Sequence, residues 1–264
     1  MRVIHLISGG DVGGAKTHVL SLLQGLNQAH RVLLVCFMEG PFAQEAREMG
    51  IPTQVLPGWN IPRIICRLEE LIRTEHFQII HCHGSRANLM GYLLKKRVQA
   101  PVVTTIHSDP KLDYLGRPLS NLTYGAANRA ALRHLDDWIC VSRQLRDMMV
   151  EAGVDPRAAF VINNGVDFSH IHAPVGRGDF WKAHGLQVEP DSVVFGIAAR
   201  ISPVKDIGSL IRAFDAAVSQ EPGIRLAIAG DGEQRKELEQ LAAKLCPAGT
   251  VAFLGWLTDT DSFY

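Results

Sequence analysis

Apolar residues fall along this chain in short runs separated by amphipathic stretches. The runs Val3–Ser8, Arg31–Phe37, Thr53–Leu56, Phe77–Cys82, Pro101–Ile106, Trp138–Ser142 and Ala159–Ile162 are mostly apolar on alternate and intervening positions alike. Val193–Ala199, Arg225–Ala229 and Thr250–Leu254 repeat the pattern further on. This pattern predicts strands buried on both faces, as in a parallel sheet covered by helices on each side. Helical spacing of apolar positions occupies Thr17–Gln28, Pro41–Met49, Arg63–Glu75, Ser85–Arg97, Leu119–Leu135, Arg143–Glu151 and Asp206–Val218. Strand and helix alternating from end to end predict an α/β fold of doubly wound sheets.

The strand runs fall into two groups, one ending before Asn164 and one starting after residue 190. Between them Asp167–Arg177, with Pro174 and Gly176, shows no period and reads as a linker. The expected boundary near residue 170 gives domains 1–170 and 171–264. The second group supplies strand, helix, strand, helix, strand, then Gly255-Trp256-Leu257 and a polar tail to Tyr264. So small an open sheet would leave an edge and a helix-sized apolar face bare. Either a partner chain covers that face or the chain is shortened.

Composition narrows the field. Hydrophobic residues make up 47% and charged residues 20% of the 264, a globular balance. Twenty-seven acidic residues offset twenty-seven basic ones, so no global field recruits nucleic acid. The apolar opening is too short for a signal peptide, and no run approaches the roughly eighteen residues that span a bilayer. The five cysteines are scattered without a CxxC pair, as expected of a reduced, cytosolic chain. Lys111–Arg133 mixes Lys111, Arg117, Arg129 and Arg133 with Leu115, Leu119, Leu122 and Tyr124. It fits an amphipathic surface helix, or a segment lying against the inner face of a membrane.

Several loops could carry chemistry. Arg200 and Lys205 follow an expected strand and precede a helix whose first N–H groups lack intrahelical partners. Two cations there suit a diphosphate, although an isolated pair would read as solvated surface charge. Gly13-Gly14, at the start of the first helix, let backbone approach a ligand, or simply make a tight turn. Their spacing departs from G-x-G-x-x-G; Glu39 nevertheless imitates a ribose-binding acid, which keeps a nicotinamide oxidoreductase in view. His107 follows the strand ending at Ile106, on the rim where doubly wound sheets bind ligands, or is an ordinary loop histidine. His81 and His83 should share one strand face, with Cys82 on the other; His81 reads as packed and His83 as a rim residue. No spacing along the chain supplies further metal ligands, so no zinc site is expected. Gly230-Asp231-Gly232 reads as a turn opening the rim near the Arg200 loop, and Asn163-Asn164-Gly165-Val166-Asp167 as a turn leaving the first domain.

Taken in order, these features resemble the retaining GT-B glycosyltransferases of family 4, often called group 1. The carriers are Gly13-Gly14-Ala15, His83-Gly84, His107-Ser108-Asp109, Val141-Ser142, Asn164-Gly165-Val166-Asp167, Ala199-Arg200 with Lys205, and Gly230-Asp231-Gly232. The resemblance implies two Rossmann-like domains, the second incomplete here, with the acceptor held mainly by the first and a nucleotide-sugar donor by the second. It implies metal-independent, hexosyltransferase-type chemistry on a lipid, glycan or small-molecule acceptor, with no cofactor beyond the donor. Arg200 and Lys205 match the cations on the donor diphosphate, and His107 a histidine touching the transferred sugar. Gly13, Gly14 and His83 match positions near the substrates, and Gly230, Asp231 and Gly232 the turn beside the nucleotide. Lys16 departs from the family's usual Glu after Gly-Gly-Ala, which unsettles any acceptor inferred from relatives. The family's Glu-x7-Glu element would lie beyond Tyr264, so a fragment with little activity alone is expected. A non-catalytic acceptor-binding subunit completed by a partner chain is the alternative.

Overall fold

The computed structural model describes residues 1–10, 14–110, 125–166 and 172–264. The chain divides into two compact units, Met1–Gly165 and Val166–Tyr264. In the first, β1 (Arg2–Ile7), β2 (Arg31–Cys36), β3 (Thr53–Val55), β4 (Ile79–His83), β5 (Val102–Ile106), β6 (Asp137–Cys140) and β7 (Ala159–Val161) form one sheet in the order β3-β2-β1-β4-β5-β6-β7. Every neighbouring pair is parallel. The order turns back at β1, the topological switch point beside which open α/β sheets bind ligands.

Both faces carry helices, as the uninterrupted apolar runs require. On one face α1 (Gly14–Asn27) and α2 (Pro41–Glu48) bury Val19, Leu20, Leu23, Phe42 and Ala46 against Ile7, Val32, Leu34 and Cys36. On the other, α3 (Ile61–Thr74), α4 (Ser85–Lys95), α5 (Ala126–Leu132) and α6 (Arg143–Glu151) meet Ile4, Leu6, Ile80 and Cys82. Alternation thus divides β1 and β2 between two cores. Local chemistry starts two of the helices. Asn60 accepts a hydrogen bond from the Arg63 amide at 3.1 Å to cap α3, and Ser142 accepts one from Leu145 at 3.2 Å to cap α6. Gly91 lets α4 lie against the sheet, since a Cβ there would meet Cys82 Sγ at 2.6 Å. Beyond α1, a groove of about 280 Å³ runs over Val3, Ile79, His81, Val103, Thr105 and Ile139. The helix expected over Leu119–Leu135 is present as α5; residues 111–124 lie outside the described residues.

The second unit is smaller. β8 (Val193–Ala198), β9 (Ile224–Ala229) and β10 (Val251–Gly255) form a parallel sheet in the order β10-β9-β8. On one face α8 (Ile207–Val218) and α9 (Arg235–Leu245) bury Ile207, Ile211, Phe214 and Leu238 against Leu226 and Ile228. The opposite face, expected to be bare, is partly covered by the chain itself. Helix α7 (Arg177–Ala183) places Phe180 and Trp181 on Ala227 and Ala229, and α10 (Thr260–Phe263) adds Phe263. Phe263 fills the space a Cβ on Gly196 would need. The approach to α7 is tied down as well: His172 donates its amide to Asp261, and Val175 donates to Ser262 Oγ. Helix α7 starts at Arg177, where the sequence reads as linker; with seven residues it is too short for periodicity to reveal it. β8 and β10 are the edges of this sheet, and on β8 Val193 and Phe195 stay 54% and 51% exposed.

No helix among the described residues is long and apolar enough to cross a membrane.

Candidate functional site

In the first unit the rim is built around His107, which directly follows β5 as expected. It is half-buried, and neither ring nitrogen has a hydrogen-bond partner among the described residues. His18 of α1 meets it edge-on with ring centroids 5.0 Å apart, and His83 lies 5.9 Å away. Burial, and then the neighbouring charge of His18, push His107 down to about 4. At neutral pH it is therefore an uncharged imidazole with a donor and an acceptor to offer. Gly14 opens α1, is exposed, and has nothing within 4 Å of its would-be Cβ, leaving the helix start open to a ligand. Gly13, its expected companion, lies outside the described residues.

Two other residues on this side turn away from a ligand role. Lys16 pairs with Glu45 of α2. Glu39 accepts two hydrogen bonds from Arg47, at 2.8 and 3.2 Å, and that guanidinium holds its carboxyl below the usual range. A carboxylate so engaged is poorly placed to bind a ribose.

His83 ends β4, but its ring is buried instead of open at the rim, which corrects its reading as a rim residue. His5 Nδ1 lies 3.1 Å from His83 Nε2, and His81 Nε2 lies 2.8 Å from Thr105 Oγ1. The parallel register sets His5 beside His81 and Ile7 beside His83. One nitrogen from each of His5, His81 and His83 lies within 4.8 Å of the others. The ground for excluding a zinc site, a lack of further ligands, therefore holds along the chain but not across the sheet. Linear spacing cannot reveal a ligand on the neighbouring strand. The available signal was a histidine inside the otherwise apolar β1.

In the second unit, Arg200 follows β8 and Lys205 ends a 3-10 turn, Pro203–Lys205, just before α8. Both are exposed, and neither forms an ion pair among the described residues. Asp206 enters α8 with a left-handed backbone, φ 46°. Ser202 is buried between the two cations with its hydroxyl unpartnered, a polar group the sequence did not single out.

The loop is held by main chain. Ala199 donates to the Ala229 carbonyl at 2.9 Å, and Ile201 donates to Asp231 at 2.9 Å. A Cβ on Gly230 would sit 2.0 Å from the Ala199 oxygen, and one on Gly232 would sit 2.1 Å from the Ile201 oxygen. The glycine pair therefore admits the chain's own backbone, where the sequence reads it as opening the rim to a ligand. Asp231 accepts from the Gly232 amide at 2.7 Å and pairs with Arg235 at 3.3 Å.

Residues 12–170 match the family described as Glycosyltransferase Family 4, and residues 182–264 match Glycosyl transferases group 1. Among curated relatives, a D-inositol 3-phosphate glycosyltransferase of Actinosynnema mirum is 28% identical over 236 residues, covering 81% of this chain and 53% of the relative. A UDP-Gal:alpha-D-GlcNAc-diphosphoundecaprenol alpha-1,3-galactosyltransferase of Escherichia coli is 25% identical over 247 residues, covering 88% and 62%. The chain thus spans a little over half the length of these relatives. Among solved structures, Anabaena HepE in complex with UDP-glucose superposes with a TM-score of 0.80 at 22% identity, covering all of this chain and 71% of that one. With the fold, the order of the rim loops and the match over 12–170 in agreement, the chain belongs to glycosyltransferase family 4 and has the GT-B architecture.

Proposed function

We propose that this chain carries the acceptor-side domain and the first part of the donor domain of a retaining, hexosyltransferase-type glycosyltransferase. The observation that carries this reading is the Arg200 loop. Two exposed cations without ion pairs among the described residues stand at the carboxyl end of a strand, before a helix N-terminus, on a backbone pinned by two glycines. Such a loop binds a diphosphate and stabilises the charge that grows on it as the sugar leaves. The buried Ser202 hydroxyl adds a donor at its base. On the acceptor side, neutral His107 hydrogen-bonds the transferred sugar, with Gly13 and Gly14 opening the helix start and His83 supporting His107 from behind. The turn Gly230-Asp231-Gly232 lies next to the nucleotide. The bond from the anomeric carbon to the diphosphate breaks as the acceptor oxygen bonds on the same face, and the acceptor's proton passes to the departing phosphate oxygen.

The named relatives act on an inositol phosphate and on a lipid-linked sugar, and HepE binds UDP-glucose. They support a nucleoside-diphosphate sugar as donor and a lipid, glycan or small polar acceptor; a lipid acceptor would be met at a membrane surface. The family's Glu-x7-Glu element is not within residues 1–264, so we expect negligible transfer from this chain by itself.

Calorimetric titration with UDP, GDP and NAD tests the donor assignment separately from turnover. One diphosphate should bind, NAD should not, and Lys205→Ala or Arg200→Ala should each weaken binding about tenfold or more, the effect of losing a charge-assisted contact. Unchanged affinity in both variants would remove the diphosphate role.

A further inference from the structure

We propose that His5, His81 and His83 form a site for a divalent transition-metal ion of the zinc class, joining the two central strands of the first unit. The register of β1 against β4 sets His5 beside His81, and alternation brings His83 to the same face. Rings of His5 and His83 stack at 9° with centroids 5.5 Å apart, and His81 and His83 lie 4.3 Å apart. Tetrahedral coordination at about 2.0 Å from metal to nitrogen places ligand nitrogens roughly 3.3 Å apart. The His5–His83 separation of 3.1 Å is already close to that, and the third ring offers a nitrogen within 4.8 Å of the others.

The surroundings favour the same class of ion. All three rings are buried. His5 Nε2 and His83 Nδ1 have no hydrogen-bond partner among the described residues, so either nitrogen of each ring can carry the proton and leave the other as a ligand. Thr105 Oγ1 contacts His81 Nε2, the kind of outer contact that orients a ligating imidazole. Neutral imidazoles without a carboxylate suit zinc, copper or nickel and do not suit calcium or magnesium. His81 also lines the groove beyond α1, which provides an approach. The site lies on strands of the first unit, and its assignment does not depend on the proposed glycosyl transfer.

Metal-stripped chain titrated with Co2+ at pH 7.5 tests the proposal. Expected are one ion per chain, visible absorption of tetrahedral intensity, displacement by Zn2+, and a melting temperature raised by Zn2+. His5→Phe should abolish the absorption, and Thr105→Val should weaken the affinity about 10- to 100-fold, the range for outer-shell loss. His30→Ala, which alters the groove but not the trio, should change neither. Absence of stoichiometric Co2+ binding by the unsubstituted chain overturns the proposal without reference to any variant. Binding that survives His5→Phe or is lost in His30→Ala overturns it equally.

Discussion

Gly230 and Gly232 answer a demand made by main chain. Each places backbone where a side chain would strike the Ala199 or Ile201 carbonyl, and Gly230 also adopts φ 125°. Gly230→Ala should therefore destabilise the fold by about 3 kcal/mol or more, as steric insertion at a special backbone position does. Gly14→Ala, with open space around it, should shift stability by no more than about 0.5 kcal/mol. Urea denaturation of the two variants checks the contrast, and equal effects would contradict it. From sequence both glycine pairs read as openings for a ligand. A linear reading does not distinguish glycine that admits a substrate from glycine that admits another loop. The same holds for Ser142, a marker of family resemblance that in the structure caps α6.

At the scale of elements, the strands were the most legible feature. Parallel strands covered on both faces are contiguous apolar runs, and all the expected ones form, with ends shifted by a residue or two. Helix α7 was missed because seven residues cannot display a period, although its Phe180 and Trp181 anchor one face of the second sheet. The carboxyl ends of β4 and β5 carry a pH dependence. Burial pushes His107 down to about 4, whereas in the unfolded chain a histidine titrates near 6.5. Between those values the unfolded state binds more protons, so stability is complete above pH 6.5 and is lost as pH falls toward about 4. In metal-free buffer the urea midpoint should fall between pH 7.5 and 5.0, and His107→Gln should reduce that slope. A midpoint independent of pH over this interval would rule the coupling out.

At the scale of the whole molecule, the partition into two units and their α/β class followed from the order of strands and helices. Which loops meet at each rim did not, because that depends on pairing between strands dozens of residues apart. The histidine trio shows this most clearly: His5 and His81 are register partners separated by nearly half of the first unit. The apolar edge strand β8 belongs to this scale too. β8 presents Val193 and Phe195 to solvent with unpaired backbone alongside, a template for association with another chain. Sedimentation of the 264-residue chain should reveal concentration-dependent self-association. Phe195→Lys should suppress it without lowering the melting temperature. Strictly monomeric behaviour of the unsubstituted chain would show that edge to be inert.

The backbone interlock beneath Arg200 has a consequence for redesign. Because carbonyls and amides hold that segment, the outward-facing positions Arg200, Pro203, Val204 and Lys205 are released from structural duty, while Ile201 and Ser202 are buried beneath them. A combinatorial library over those four sites would sample new anion preferences on an unaltered scaffold, with Gly230 and Gly232 as the two letters that must not be varied.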